Sequence, residues 1–163
     1  MSVIIIAAKS LNNVIGRDGR LPWNVPLEYQ HFLDSVSSQV MLMGRRSWQV
    51  FGGEVNTMAN GVLSRSTDIL GADAIFSNIE KAIIWARSFK CERIFVAGGA
   101  QVYAAALEAA VVDELWLSTL PFECEGDVLF PSFEAQHWEV QAEQREGYLF
   151  EKWTRIRSKS ASP

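Results

Sequence analysis

Three stretches of this sequence place glycine backbone or arginine side chains where an apolar strand pattern ends. Gly98-Gly99 follows the run RIFVA and precedes a helical pattern, while MLMGRRSW (41–48) and GVLSRS (61–66) end in residues rich in arginine and serine. Backbone N–H groups at a helix start and guanidinium groups both bind phosphate oxygens. Taken alone, the glycines are better explained by a tight turn, and the arginines are as compatible with a solvated surface. The three junctions together favour a dinucleotide with several phosphates.

A carboxylate among apolar neighbours is a second feature with possible chemistry. Glu28 follows Pro26, which suits the first position of a helix, and an acidic side chain in the first turn favours the helix dipole. Taken alone, this helix-start chemistry explains Glu28. Because Glu28 shares a helical stripe with His31 and Phe32, we also expect it to border an apolar, partly closed pocket and to bind a cationic or amidine-like group.

The segment before Glu28, NNVIGRDGRLPW (12–23), contains a turn signal at Asp18-Gly19 and few apolar residues between Ile15 and Leu21. It resembles a mobile lid. An ordinary surface loop is the commoner explanation for such a segment.

The elements that position these residues alternate between strands and helices as far as about residue 120. This alternation predicts an α/β fold, with a mostly parallel eight-stranded sheet, a C-terminal antiparallel edge hairpin and about four helices on its faces. Ligands of such sheets bind at the carboxyl ends of the strands. The predicted strands are 3–8, 39–44, 61–64, 74–77, 93–98, 114–120, 138–143 and 148–156, and the predicted helices are 27–36, 45–51, 78–89 and 100–110.

Length and composition exclude several classes of protein. The 163 residues fit one domain, 1–157, followed by a polar tail, 158–163, that we expect to be disordered. A net charge of −4 disfavours a nucleic-acid surface, and the apolar run near the N-terminus is too short for a signal peptide or membrane span. Cys91 and Cys124, with two histidines in the chain, form no credible metal site. We expect a cytoplasmic protein in which both cysteines are reduced thiols rather than a disulfide.

The order and spacing of these motifs, from Val3 to Trp153, resemble dihydrofolate reductase. The resemblance implies a monomer that uses NADPH to reduce 7,8-dihydrofolate to 5,6,7,8-tetrahydrofolate, by hydride transfer to C6 and protonation at N5, in one-carbon metabolism. It also implies that antifolates are plausible inhibitors. The segments that carry the resemblance are IIIAA, VIGRDGRLPWNVPLEYQHF, MLMGRRSW, VLSRS, VAGGAQVY and EGDVLFP.

The resemblance also assigns roles to individual residues. Glu28 becomes the carboxylate that binds the pterin, Trp23 lies beside the ring, and Ser118 is linked to the carboxylate. The implied substrate-binding residues are Ile6, Ala7, Tyr29, Phe32, Phe51, Ala97 and Tyr103. The implied NADPH-binding residues are Ala8, Ile15, Gly16, Gly44, Arg45, Arg46, Ser47, Leu63, Ser64, Arg65, Gly98, Gly99, Ala100, Gln101 and Val102. Asp127 corresponds to a loop aspartate that binds the closed lid, although a plain turn residue is the alternative.

The sequence departs from the family at the end of the site that holds the folate glutamate tail. The arginine that binds the tail carboxylate should fall at position 58, where this chain has Met58, and Leu33 replaces a common basic residue. Three outcomes follow: another cation such as Arg65 or Arg20 binds the tail, folate binds weakly, or the substrate is a pterin-like molecule without that tail. Ala97 and Tyr29 are also expected to alter the fit of diaminopyrimidine antifolates.

Two other functions compete with this interpretation. A reductase of the same fold that acts on a ribosylamino-pyrimidine would share the cofactor site, but Pro22-Trp23 and Glu28 favour the folate enzyme. A non-catalytic NADPH-binding module is the alternative from another class, and Met58 is the feature that favours it.

Overall fold

The computed structural model describes residues 1–157, so the tail predicted to be disordered, 158–163, lies outside the described residues. Its strands are β1 (Ser2–Lys9), β2 (Val14–Gly16), β3 (Val40–Gly44), β4 (Ala59–Leu63), β5 (Ala74–Phe76), β6 (Arg93–Val96), β7 (Glu114–Thr119), β8 (Val128–Leu129), β9 (Trp138–Arg145) and β10 (Tyr148–Arg155). Its α-helices are α1 (Pro26–Val36), α2 (Arg45–Phe51), α3 (Ile79–Ala86) and α4 (Ala100–Glu108), and a short 3₁₀-helix spans Ala135–His137.

Eight strands form one sheet in the order β5-β4-β3-β6-β1-β7-β10-β9. The strands from β5 to β7 are parallel to their neighbours, whereas β10 is antiparallel to both β7 and β9. The predicted α/β class, the eight-stranded and mostly parallel sheet, and the antiparallel edge hairpin at the C-terminus are therefore confirmed.

The strand β1 lies near the middle of the sheet and is buried on both faces, which explains its continuous apolar run. Val3 and Ile5 point to one face and pack with residues of α3 and α4, such as Ile83. Ile4 and Ile6 point to the opposite face and belong to a second apolar cluster, to which α1 and α2 contribute. Two helices therefore cover each face of the sheet, as the sequence predicts.

The structure contains one feature that the sequence pattern did not predict. Val14 and Gly16 of β2 pair antiparallel with Leu129 and Val128 of β8, forming a two-stranded sheet outside the main one. Each strand is too short to show a periodic pattern, so the pairing could not be found from either segment alone. The same structure shows that no helix within residues 1–157 is long and apolar enough to cross a membrane.

Candidate active site

The carboxyl ends of β1, β3 and β6 meet at one edge of the sheet, and two adjoining cavities open there. We call them the inner cavity and the outer cleft; Ile15, Leu21, Ser47, Phe51 and Gly99 line both. The inner cavity is also lined by Ile6, Ala7, Ala8, Glu28, Tyr29, Phe32, Ala97, Gly98 and Tyr103. The outer cleft is also lined by Gly16, Gly44, Arg45, Arg46, Leu63, Ser64, Arg65, Ala100, Gln101 and Val102, among others.

Glu28 is the carboxyl group of the inner cavity. It lies in the first turn of α1, which begins with Pro26 and has no side-chain cap, and its side chain is only 5% exposed. Burial raises the pKa of Glu28 from 4.5 to about 7, and a hydrogen bond from the Ser118 hydroxyl opposes part of this shift. Near neutral pH, the buried carboxyl group can therefore either accept hydrogen bonds as a carboxylate or donate one as an acid.

Tyr103 forms the deep wall of the inner cavity opposite Glu28. Its hydroxyl donates a 2.7 Å hydrogen bond to the backbone carbonyl of Ile6, which joins α4 to the end of β1. Complete burial, with the nearby Glu28 charge adding to it, raises the pKa of Tyr103 far above its usual value. The phenol therefore stays neutral and fixes the shape of the wall.

Three aromatic side chains form the half-buried end of the inner cavity. Tyr29 and Phe32 come from α1 and Phe51 ends α2. The ring centroids are 6.0 Å apart for Tyr29 and Phe32, 6.1 Å for Tyr29 and Phe51, and 6.2 Å for Phe32 and Phe51. This spacing is typical of packed aromatic rings, so the three side chains present apolar edges and faces to a ligand.

The outer cleft differs because four arginines line it, together with three acidic residues, Glu80, Glu108 and Asp127. Arg45, Arg46 and Arg65 line it with exposed side chains, and Arg20 lies at the same cleft. The helix α4 starts after Gly99 without a side-chain cap, so its first backbone N–H groups remain open to an anion. The cleft can bind several phosphates at once.

Glycine backbone allows close approach where the cleft meets the inner cavity. Gly98 has a φ of +115°, and a Cβ atom there would lie 3.3 Å from the Ser47 Oγ and the Tyr103 hydroxyl. A Cβ atom on Gly44 would lie 3.2 Å from a methyl group of Val102. The Gly44 N–H donates a 2.7 Å hydrogen bond to the Gly98 carbonyl, so the two turns are held together. The residues present therefore fit a nucleotide cofactor that spans both cavities.

The segment predicted to be a lid crosses the junction of the two cavities. Arg17 and Arg20 exchange backbone hydrogen bonds of 2.9 and 3.0 Å around Asp18 and Gly19, which both have positive φ. This is the geometry of a type I′ turn. The Asp18 N–H also lies 3.3 Å from an Asp127 carboxylate oxygen, as expected from the sequence. The lid's mobility stays a prediction.

The structure brings most of the predicted site residues together. The predicted substrate-binding residues all line the inner cavity with Glu28, and the predicted cofactor-binding residues all line one cavity or the other, with Ala8 and Gly98 on the inner side. Trp23 and Ser118 line neither: Trp23 packs edge-on against Phe122 with ring centroids 6.3 Å apart, and Ser118 lies behind Glu28. Met58 is exposed and lines neither cavity.

Sequence reasoning missed Leu21 as a wall of both cavities, although its position beside Pro22-Trp23 was a usable signal. It named Arg20 and Arg65 as possible cations for a substrate tail. The structure places both side chains at the outer cleft and neither in the inner cavity. Within residues 1–157 no group of three or more histidine, cysteine, aspartate or glutamate side chains could hold a metal ion.

Comparison with known proteins gives a consistent result. A family model described as dihydrofolate reductase matches residues 2–152. The chain is 29% identical over 144 residues to dihydrofolate reductase of Haemophilus influenzae, covering 88% of each chain. It is 31% identical over 140 residues to dihydrofolate reductase type 3 of Salmonella typhimurium, covering 85% of this chain and 84% of the relative.

A solved structure extends the similarity to the fold. The dihydrofolate reductase from Enterococcus faecalis, complexed with NADP(H) and RAB-propyl, superposes with a TM-score of 0.83 at 21% identity, covering 96% of this chain and 97% of that one. The match of the family model over nearly the whole chain, together with the relatives, decides the assignment: this chain belongs to the dihydrofolate reductase family.

Proposed function

We propose that this protein uses NADPH to reduce 7,8-dihydrofolate to 5,6,7,8-tetrahydrofolate. The observation that carries the proposal is Glu28, a buried carboxyl group in a mostly apolar cavity that adjoins a cleft lined by four arginines. The cavity suits a neutral heterocycle with amidine-like donors, and the cleft suits a phosphorylated dinucleotide. Membership of the dihydrofolate reductase family identifies the heterocycle as that of dihydrofolate and the dinucleotide as NADPH.

The outer cleft holds the cofactor in this proposal. NADPH, when bound, supplies the hydride that is transferred to C6 of the dihydropterin. Arg45, Ser64 and Arg65 bind the 2′-phosphate, and their charge favours NADPH over NADH. Arg46, Ser47 and the backbone that starts α4 bind the pyrophosphate. Ala8, Ile15 and Gly16 lie where the nicotinamide end reaches the inner cavity.

The inner cavity positions the pterin ring. As a carboxylate, Glu28 accepts hydrogen bonds from the ring N3–H and the 2-amino group, and Ser118 orients it from behind. Phe32 packs on the face of the ring, and Trp23 is assigned beside the ring by the family resemblance although it does not line the cavity. The Glu28 charge holds and polarises the ring, while water delivers the proton to N5. Closure of the segment around Asp18 excludes bulk water from the reacting atoms.

The remaining assignments are part of the same proposal. Residues 1–157 act as one dihydrofolate reductase domain and the protein is a monomer in the cytoplasm, where Cys91 and Cys124, both free, stay reduced. The product enters one-carbon metabolism, and antifolates compete for the inner cavity. Ala97 and Tyr29 are the wall residues expected to change the fit of diaminopyrimidine antifolates.

The decisive experiment follows NADPH oxidation after addition of 7,8-dihydrofolate over a wide concentration range, with tetrahydrofolate identified as the product. NADPH binding is measured separately by quenching of tryptophan fluorescence. Turnover that depends on dihydrofolate supports the proposal. NADPH binding without reduction of any dihydropterin would show that the chain is a nucleotide-binding module, and reduction of a ribosylamino-pyrimidine alone would point to the related reductase.

A further inference from the structure

Basic side chains are distributed unequally between the inner cavity and the outer cleft. Within residues 1–157, no lysine, arginine or histidine lines the inner cavity, and Glu28 is its one carboxyl group. Within the same residues, four arginines, Arg20, Arg45, Arg46 and Arg65, line the outer cleft. This division affects the substrate because the C6 side chain of 7,8-dihydrofolate ends in two carboxylates.

The C6 side chain of a bound dihydropterin must leave through the half-buried end of the inner cavity, since Glu28 holds the pyrimidine edge at the buried end. That exit is made of the aromatic group Tyr29, Phe32 and Phe51, with ring centroids 6.0 to 6.2 Å apart. An aromatic or aliphatic side chain gains contact with these rings. A carboxylate gains no ion pair from them.

An acidic side chain, Glu54, lies next to this exit. Glu54 is exposed and is held beside Phe51, because its backbone N–H donates a 3.0 Å hydrogen bond to the Phe51 carbonyl. Burial raises the pKa of the Tyr29 phenol and the Glu54 charge adds to this shift, although the Tyr29 hydroxyl has no hydrogen-bond partner within the described residues. A negative charge beside this exit repels the carboxylates of a substrate tail, most strongly at low salt.

We infer, on the basis of the proposed function, that the inner cavity recognises a dihydropterin without using any charge on its C6 side chain. It binds the pterin ring through Glu28 and the adjoining aromatic portion through Tyr29, Phe32 and Phe51, and it makes no ion pair with an anionic tail. Dihydrofolate is accepted through its ring and aminobenzoyl group, without a contribution from its glutamate.

A matched pair of substrates tests the inference directly. We would compare 7,8-dihydrofolate with its glutamate dimethyl ester, which removes both tail charges and adds two methyl groups, at saturating NADPH. The ester should have a kcat/KM equal to or up to about threefold higher than that of dihydrofolate, since a partly desolvated ion pair would instead favour the charged substrate by about 10²-fold. The KM for dihydrofolate should stay constant or fall as salt rises. A preference above about threefold for the charged substrate overturns the inference.

Two variants with the same change in charge locate the effect. Glu54→Lys should lower the KM for dihydrofolate about fivefold and leave the ester within twofold, because the new cation faces the tail. Glu139→Lys, on the exposed edge strand β9, should change neither substrate by more than about twofold. An equal response of both substrates to Glu54→Lys overturns the inference. Failure to reduce either substrate while NADPH binds overturns the proposed function and the inference together.

Discussion

The inner cavity and the outer cleft share five lining residues but bind their ligands by opposite means. Within residues 1–157, the inner cavity has one carboxyl group, buried among apolar walls, whereas the outer cleft has several exposed arginines and open backbone N–H groups. A charge in a buried site interacts strongly with its partner because little water screens it, while each exposed charge contributes modestly. The inner cavity therefore depends on one residue, and the cleft shares its binding among many.

The largest effect on turnover should come from substitution of Glu28, the buried carboxyl group. Glu28→Gln keeps the shape of the side chain but cannot accept both hydrogen bonds from the pterin, so kcat/KM for dihydrofolate should fall by about 10²-fold or more. NADPH affinity should change less than about twofold, because Glu28 does not line the outer cleft. Steady-state rates and a fluorescence titration measure the two. Near-normal turnover of the variant would remove Glu28 from the reaction.

The same substitution should stabilise the protein without ligand. Burial raises the pKa of Glu28 from 4.5 to about 7, so ionisation costs free energy in the folded state that it does not cost in the unfolded chain. This cost is absent below pH 4.5 and is complete once the pH has passed about 7. From pH 4 to pH 8, the unfolding free energy of Glu28→Gln should therefore rise relative to the parent by at most about 3 kcal/mol. Urea unfolding at several pH values measures this, and a constant difference would contradict it.

The sequence predicted those features of the structure that depend on a short, continuous stretch of residues. The buried parallel strands are continuous apolar runs, and the glycine and arginine junctions sit within a few residues of strand ends, so the sheet and most of the cleft could be predicted. The pairing of Val14 with Leu129 joins distant segments of the chain that are each too short for a pattern, so it was missed.

The place of each charge in space was harder to predict than its presence. Arg20 and Arg65 were possible partners for a substrate tail, and the structure puts both at the outer cleft. Their positions depend on how the Asp18-Gly19 turn and the end of β4 face the cleft, which no local pattern encodes. The depth of burial that shifts the pKa of Glu28 is likewise a property of the packed cavity.

Substitution of an arginine in the outer cleft should have an effect of intermediate size on cofactor binding. Arg65→Gln removes one of several cations around the proposed 2′-phosphate site, so the KM for NADPH should rise about 10- to 30-fold while that for NADH stays constant. Arg87→Gln, an exposed residue after α3 that does not line the cleft, is the matched control. An equal loss with both cofactors would show that Arg65 does not bind the 2′-phosphate.

The smallest effect on turnover should come from a substitution where the inner cavity and the outer cleft meet. Asp127 is exposed, and its long hydrogen bond from the Asp18 N–H holds the tip of the segment that crosses both cavities. Asp127→Ala should change the unfolding free energy by less than about 0.5 kcal/mol, because exposed polar contacts contribute little. It should still slow turnover about two- to fivefold, since closure must then occur without this contact.

Glu125→Ala, an exposed acidic neighbour on the same loop, separates the hydrogen bond from the general loss of charge. Rapid-mixing measurements of the hydride step should show the slower rate in Asp127→Ala alone. If both variants slow equally, loop charge rather than the Asp18 contact governs closure. If neither does, the segment around Asp18 is a static wall shared by the two cavities, and the inner cavity excludes water without a moving part.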